Sequence, residues 1–155
     1  MNRRTAIKMM MSGGALALGG CKDIPVPAKV LTVKEKLYLA DAISVVETGC
    51  SESSMRFAEL KGKNGELGPF QLTEIYVDDV NRIAGTEYRY YDRSQIGMCR
   101  GMITIYWDYY ATAKRLGHEP TLEDLARIHN GGPNGYKKQS TKVYWDKVKV
   151  ELAKM

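Results

Sequence analysis

Apolar residues that recur at helical spacing, in runs mostly closed by a glycine, constrain this 155-residue chain to a set of short packed helices. Thr32-Val33-Lys34-Glu35 has the spacing of a capping box, and Leu39, Ile43 and Val46 then repeat along one face until Gly49. Thr73 opens a second run of Tyr76, Val77, Val80, Ile83 and Ala84, closed by Gly85. Ser94 opens a long helix predicted from Gln95 to Leu116. Its stripe holds Cys99, Met102, Ile103, Tyr106, Tyr109, Tyr110 and Ala113, and Gly117 is its stop. Thr121 starts a short helix that ends near His129, and a last helix from Thr141 carries Tyr144, Trp145, Val148 and Leu152. Residues 50–67 lack a clear period and contain Gly62, Asn64 and Gly65, which read as a loop or a small hairpin. Several helices around one irregular insert predict a predominantly α member of the α+β class.

The first twenty residues do not belong to that domain. Arg3, Arg4 and Lys8 make a basic start without an acidic residue, followed by a short stretch of Met, Gly, Ala and Leu. The stretch is too short to span a bilayer and has the shape of a signal peptide's apolar region. Its end, Leu18-Gly19-Gly20-Cys21, resembles the bacterial lipobox, in which the cysteine is lipidated. Arg3-Arg4 also looks like a twin-arginine export motif, and the general secretory route is the alternative. Residues 1–20 are thus expected to be a leader. Residues 21–31, with Pro25 and Pro27, read as a tether, and 32–155 as the domain. The expected location is the outer face of a bacterial membrane in the cell envelope, with Cys21 as the anchor.

Removing the leader changes the meaning of the charge. The chain has 23 Lys and Arg against 18 Asp and Glu, a net +5. Three of the basic residues lie in the leader, so 20 remain against 18, a net +2. That mild excess, without a basic cluster interleaved with aromatics, does not point to nucleic acid. Cys50 and Cys99 remain in a compartment that permits disulfides, where a bridge would contribute ~3–4 kcal/mol. Two unpaired thiols are the alternative. Two histidines, His118 and His129, and no ligand cluster give no reason to expect a metal or cofactor.

Three segments carry the chemistry. Glu47 ends the first apolar helical run, where scarce water should push its pKa up. A carboxyl still protonated near neutral pH can donate a proton to a glycosidic oxygen. Gly68-Pro69-Phe70-Gln71 and Ile128-His129-Asn130-Gly131-Gly132-Pro133 are turn-rich segments able to wall a cleft around it. Glu66, Glu74, Asp78 and Asp79 are candidates for a second carboxylate, and no pattern singles one out.

In order and separation these segments resemble the motifs of the lysozyme-like soluble lytic transglycosylase domain family. There a Glu-Ser pair ends a helix, a Gly-Leu-Met-Gln segment lines the cleft, and an Ala-Tyr-Asn-Ala-Gly-Pro segment closes it. The likeness covers roughly Thr32 to Lys149 and implies a lysozyme-like fold. It implies Glu47 as the catalytic acid, and Gln71, His129 and Asn130 as substrate-binding residues. Thr48 stands for the family's Ser, Pro69-Phe70 for Leu-Met, and His129 for a Tyr that contacts the acid or the sugar. The implied activity is cleavage of the β-1,4 linkage between N-acetylmuramic acid and N-acetylglucosamine by one glutamate, acting on peptidoglycan as a monomer. A hydrolytic lysozyme on the same fold and a non-cutting glycan-binding lipoprotein are the alternatives.

Overall fold

The computed structural model describes residues 30–49 and 60–155. The leader, Cys21 and Cys50 lie outside them. Among the described residues six α-helices follow in order: α1 (Val33–Thr48), α2 (Glu74–Ala84), α3 (Ile96–Tyr110), α4 (Ala113–Leu116), α5 (Leu122–Gly131) and α6 (Ser140–Leu152). Short 3₁₀ turns occupy Tyr90–Ser94 and Gly135–Lys137.

The helix starts are set by local chemistry. The Thr32 hydroxyl accepts from the Glu35 amide at 3.2 Å, and the Glu35 carboxylate accepts from the Thr32 amide at 2.8 Å. Thr121 and Asp124 repeat that box at α5, and Thr73 caps α2 through the Tyr76 amide. Gly49, Gly85 and Gly117 end α1, α2 and α4 in the left-handed region, where a side chain would be strained.

The core is built around α3. Met102, Ile103, Tyr106 and Trp107 are buried on it and meet Leu39 and Ile43 of α1, Val77 and Val80 of α2, and Leu125 and Ile128 of α5. The Trp107 indole donates to the Leu125 carbonyl at 3.0 Å, so its one polar atom is satisfied. Val148 seats α6 against the same core. α6 packs on α1 and α5, which brings the last helix alongside the end of the first.

Two expectations need correction. The long helix does not run to Leu116: α3 stops at Tyr110, and Thr112 caps a separate α4. Ser94 does not cap α3; its hydroxyl donates to the Tyr91 carbonyl at 2.8 Å inside the 3₁₀ turn. The described part of the insert, expected as a loop or a small hairpin, carries two isolated antiparallel bridges, Lys61 with Leu67 and Leu67 with Leu72. The described residues are therefore mostly helical. Cys99 is a buried free thiol whose Sγ lies 2.8 Å from the Arg93 carbonyl, and burial pushes its pKa up to about 12. Cys50, the other half of the expected bridge, lies outside the described residues.

Candidate active site

Two buried arginines shape the walls of the site. Arg93, just before α3, donates to the carbonyls of Tyr90, Gly65 and Leu72 at 2.7 to 2.9 Å. It thereby fastens the segment containing Gly68 and Gln71. Arg127 on α5 donates to the Thr141 hydroxyl, the Lys138 carbonyl and Glu123, fastening the segment after Gly131 to α6. The chain presses each motif loop onto the backbone of its arginine. A Cβ on Gly68 would lie 1.8 Å from the Arg93 carbonyl oxygen, and one on Gly135 the same distance from the Arg127 carbonyl oxygen. Gly68 also has φ +79°. No other residue type fits either contact.

Between these walls lies a cleft of about 940 Å³. All four sequence-selected residues, Glu47, Gln71, His129 and Asn130, line it. Of the four candidate second carboxylates, Glu66, Asp78 and Asp79 line it as well. Glu74 turns away to Arg93 at 3.4 Å. Asp79 is engaged by Arg82 at 2.6 Å and by the Tyr110 hydroxyl at 2.6 Å, and Asp78 accepts from the Tyr90 hydroxyl. Those two carboxylates brace the far wall. The floor is aromatic, with Tyr76 and Tyr106 stacked at 4.0 Å between ring centres.

Glu47 sits in the last turn of α1 with its side chain 21% exposed. Burial raises its pKa, and the carbonyl end of the helix disfavours a negative charge there too. The Tyr144 hydroxyl donates to Oε1 at 2.7 Å and pulls the other way. The charge of Glu66 adds to the upward push, and Lys147 opposes it.

Glu66 is the electrostatic opposite. It lies on the solvent-facing rim, and the Asn64 amide and side chain donate to its two oxygens at 2.8 and 3.1 Å. Its own backbone amide first, and then those hydrogen bonds, hold its pKa below the ordinary value. One carboxyl is thus kept protonated to higher pH and its neighbour kept ionised.

His129 is not the charged helix-ending residue its position allows. Its ring is 3% exposed, and burial lowers its pKa to about 4, against a small opposing effect of the Phe70 backbone. Nδ1 makes no hydrogen bond of ordinary geometry, and Nε2 lies 3.7 Å from Glu47 Oε1, too far for one. At neutral pH the imidazole is an uncharged wall that deepens the burial of Glu47. Gln71 lines the cleft, but its amide nitrogen donates to the Leu60 and Gly68 carbonyls at 3.1 and 2.9 Å. Those bonds hold it at φ 47°, a left-handed conformation rare for a side-chain-bearing residue. Gln71 therefore braces its own loop, while Asn130 is exposed on the opposite wall.

Tyr144 is the residue the sequence hides. It falls on the apolar stripe of α6, 97 positions from Glu47. Spacing alone reads it as core. No short-range pattern marks its hydroxyl, since only the packing of α6 on α1 brings the two together.

The arrangement can protonate a leaving oxygen from Glu47 and place a negative charge, Glu66, in the same groove. Among the described residues no group of His, Cys, Asp and Glu could hold a metal ion. No family model matches the chain. It is 29% identical over 101 residues to a lysozyme of Ostrea edulis, spanning 65% of this chain and 69% of that one. It is 30% identical over 103 residues to a lysozyme of Magallana gigas, spanning 66% of this chain and 70% of that one. A chain in the crystal structure of Aeromonas hydrophila PliI in complex with Meretrix lusoria lysozyme matches with a TM-score of 0.58 and 30% identity. That match covers 72% of this chain and 85% of the other.

Proposed function

Because this chain belongs to the lysozyme family of its Magallana gigas relative, we propose that it hydrolyses the β-1,4 linkage between N-acetylmuramic acid and N-acetylglucosamine in peptidoglycan. Glu47 is the general acid. The observation that carries this reading is the pair of carboxyls in one cleft whose surroundings push their pKa values apart, Glu47 up and Glu66 down.

The chemistry follows from that pair. Glu47 gives its proton to the glycosidic oxygen as the bond to the anomeric carbon breaks. The ionised Glu66 stabilises the positive charge that develops on the sugar. Water then adds to the anomeric carbon, and its proton goes to Glu47 or Glu66 according to the face of attack. The stacked Tyr76–Tyr106 floor and the Asn130 wall hold the glycan.

A lytic transglycosylase is the second reading, and it needs Glu47 alone, with the muramyl C6 hydroxyl replacing water. The observation in its favour is that Asn64 already occupies both oxygens of Glu66. The export leader and Cys21 support placing either activity in the cell envelope, anchored by lipid.

The test is mass spectrometry of purified sacculi treated with the domain. Products with reducing ends support hydrolysis; 1,6-anhydro products would replace it with the transglycosylase. Glu47→Gln should abolish both while the helical circular dichroism is kept. Wild-type clearing by that variant would sink the assignment of the acid.

A further inference from the structure

The oxygens of Glu47 are not equivalent. Tyr144 from α6 approaches Oε1 at 2.7 Å, and the His129 ring from α5 lies 3.7 Å from the same atom. Both neighbours meet the carboxyl at Oε1, whereas Oε2 of this cleft-lining residue takes no hydrogen bond among the described residues and is not buried. A phenol donates more readily than it accepts, and a carboxyl's carbonyl oxygen accepts more readily than its hydroxyl oxygen. A Tyr144 bond to Oε1 is therefore satisfied in both protonation states of Glu47 if the proton sits on Oε2.

We infer that Tyr144 is a positioning residue for the acid: its hydroxyl occupies Oε1 and leaves Oε2 to carry the proton into the cleft. The inference rests on the reading of Glu47 as the general acid. When Oε2 loses its proton to the glycosidic oxygen, Tyr144 is already donating to the new carboxylate, and no reorganisation is needed at that moment. His129 cannot take this part, because its Nε2 lies beyond hydrogen-bond reach of Oε1. The stack of the His129 and Tyr144 rings, 6.4 Å between centres, keeps the phenol in register with the carboxyl. The phenol comes from α6, the helix that follows the one carrying His129.

The groups that set the Glu47 titration are Tyr144 and Lys147 from α6, His129 from α5 and Glu66 from the rim loop. Of these, Tyr144 is the one that lowers the pKa by a hydrogen bond. Tyr144→Phe keeps the ring and deletes that bond. The alkaline limb of the kcat profile should then move up by about one pH unit, with a loss of about tenfold in kcat at the optimum. KM should stay within about twofold of wild type. A titration of the Glu47 carboxyl carbon by NMR reads the same rise without turnover.

A limb and an NMR titration that both match wild type would overturn the inference, whatever the loss in kcat, since a packing role moves stability and not the acid's pKa. So would a loss carried by KM. If instead Glu47→Gln keeps activity, the assignment of the acid fails, and the NMR titration still decides whether Tyr144 tunes the carboxyl.

Discussion

At the scale of single residues, the cleft works by contrast between two carboxyls. Glu47 is desolvated and faces the carbonyl end of α1, while Glu66 is solvated and held by Asn64. The Glu66 charge also raises the Glu47 pKa. Glu66→Gln should therefore do two things at once. The alkaline limb of the activity profile should move down, because the charge that kept Glu47 protonated is gone. The rate at the optimum should fall by about a hundredfold if Glu66 stabilises the sugar cation. A downward shift with an unchanged rate would make Glu66 an electrostatic neighbour only, and would favour the single-acid route. The sequence offered Glu66 as one of four equal candidates. Its distinction comes from the fold of residues 60–72, where Asn64 turns back on it, and such a turn has no periodic signature.

At the scale of elements, what was legible depended on how local its cause was. Helix starts at Thr32, Thr73 and Thr121 and stops at Gly49, Gly85 and Gly117 were readable, because a cap is decided within four residues. The break after Tyr110 was not. The apolar stripe continues through Ala113, and what ends α3 is a tertiary demand. α4 turns Arg115 back over the Tyr110 ring, with its guanidinium carbon 5.2 Å from the ring centre. From there it donates to the carbonyls of Tyr110 at 3.0 Å and Pro133 at 2.9 Å. The Tyr136 hydroxyl returns a bond to the Arg115 carbonyl at 2.8 Å. A straight helix to Leu116 would lose this strap across the Gly-rich wall. Arg115→Ala should loosen the wall that carries Asn130 and Pro133 and leave Glu47 and Tyr144 in place. Steady-state kinetics on soluble glycan fragments should show KM raised roughly three- to tenfold with kcat nearly kept. A loss confined to kcat would place the strap's effect on the acid instead.

At the scale of the whole molecule, the site makes the fold sensitive to acid. The motif positions were visible in the sequence, yet the environment of His129 was not. The same residue could have been a charged cap at the end of α5, and only the packing of α5 against α1 and α6 makes it a buried neutral ring. Its pKa falls from the ordinary 6.5 to about 4. That stabilisation is fully present above pH 6.5 and is lost as pH falls toward 4, because the unfolded chain binds the proton first. The loss amounts to about 3 kcal/mol, a sizeable part of the stability of a domain this small. Glu47 acts in the opposite sense: its raised pKa makes the folded state bind its proton first, so acidification favours the fold until the carboxyl is neutral in both states. The two effects overlap in pH and hide each other in the wild type. They separate when denaturant unfolding is followed from pH 7 to pH 4 in two chains, Glu47→Gln alone and Glu47→Gln with His129→Gln. Stability of the first should fall with pH more steeply than that of the second, by the imidazole's share. Equal slopes would mean that the ring is already accessible to protons in the native state, and the dry wall beside Glu47, which keeps its pKa raised, would have to be given up.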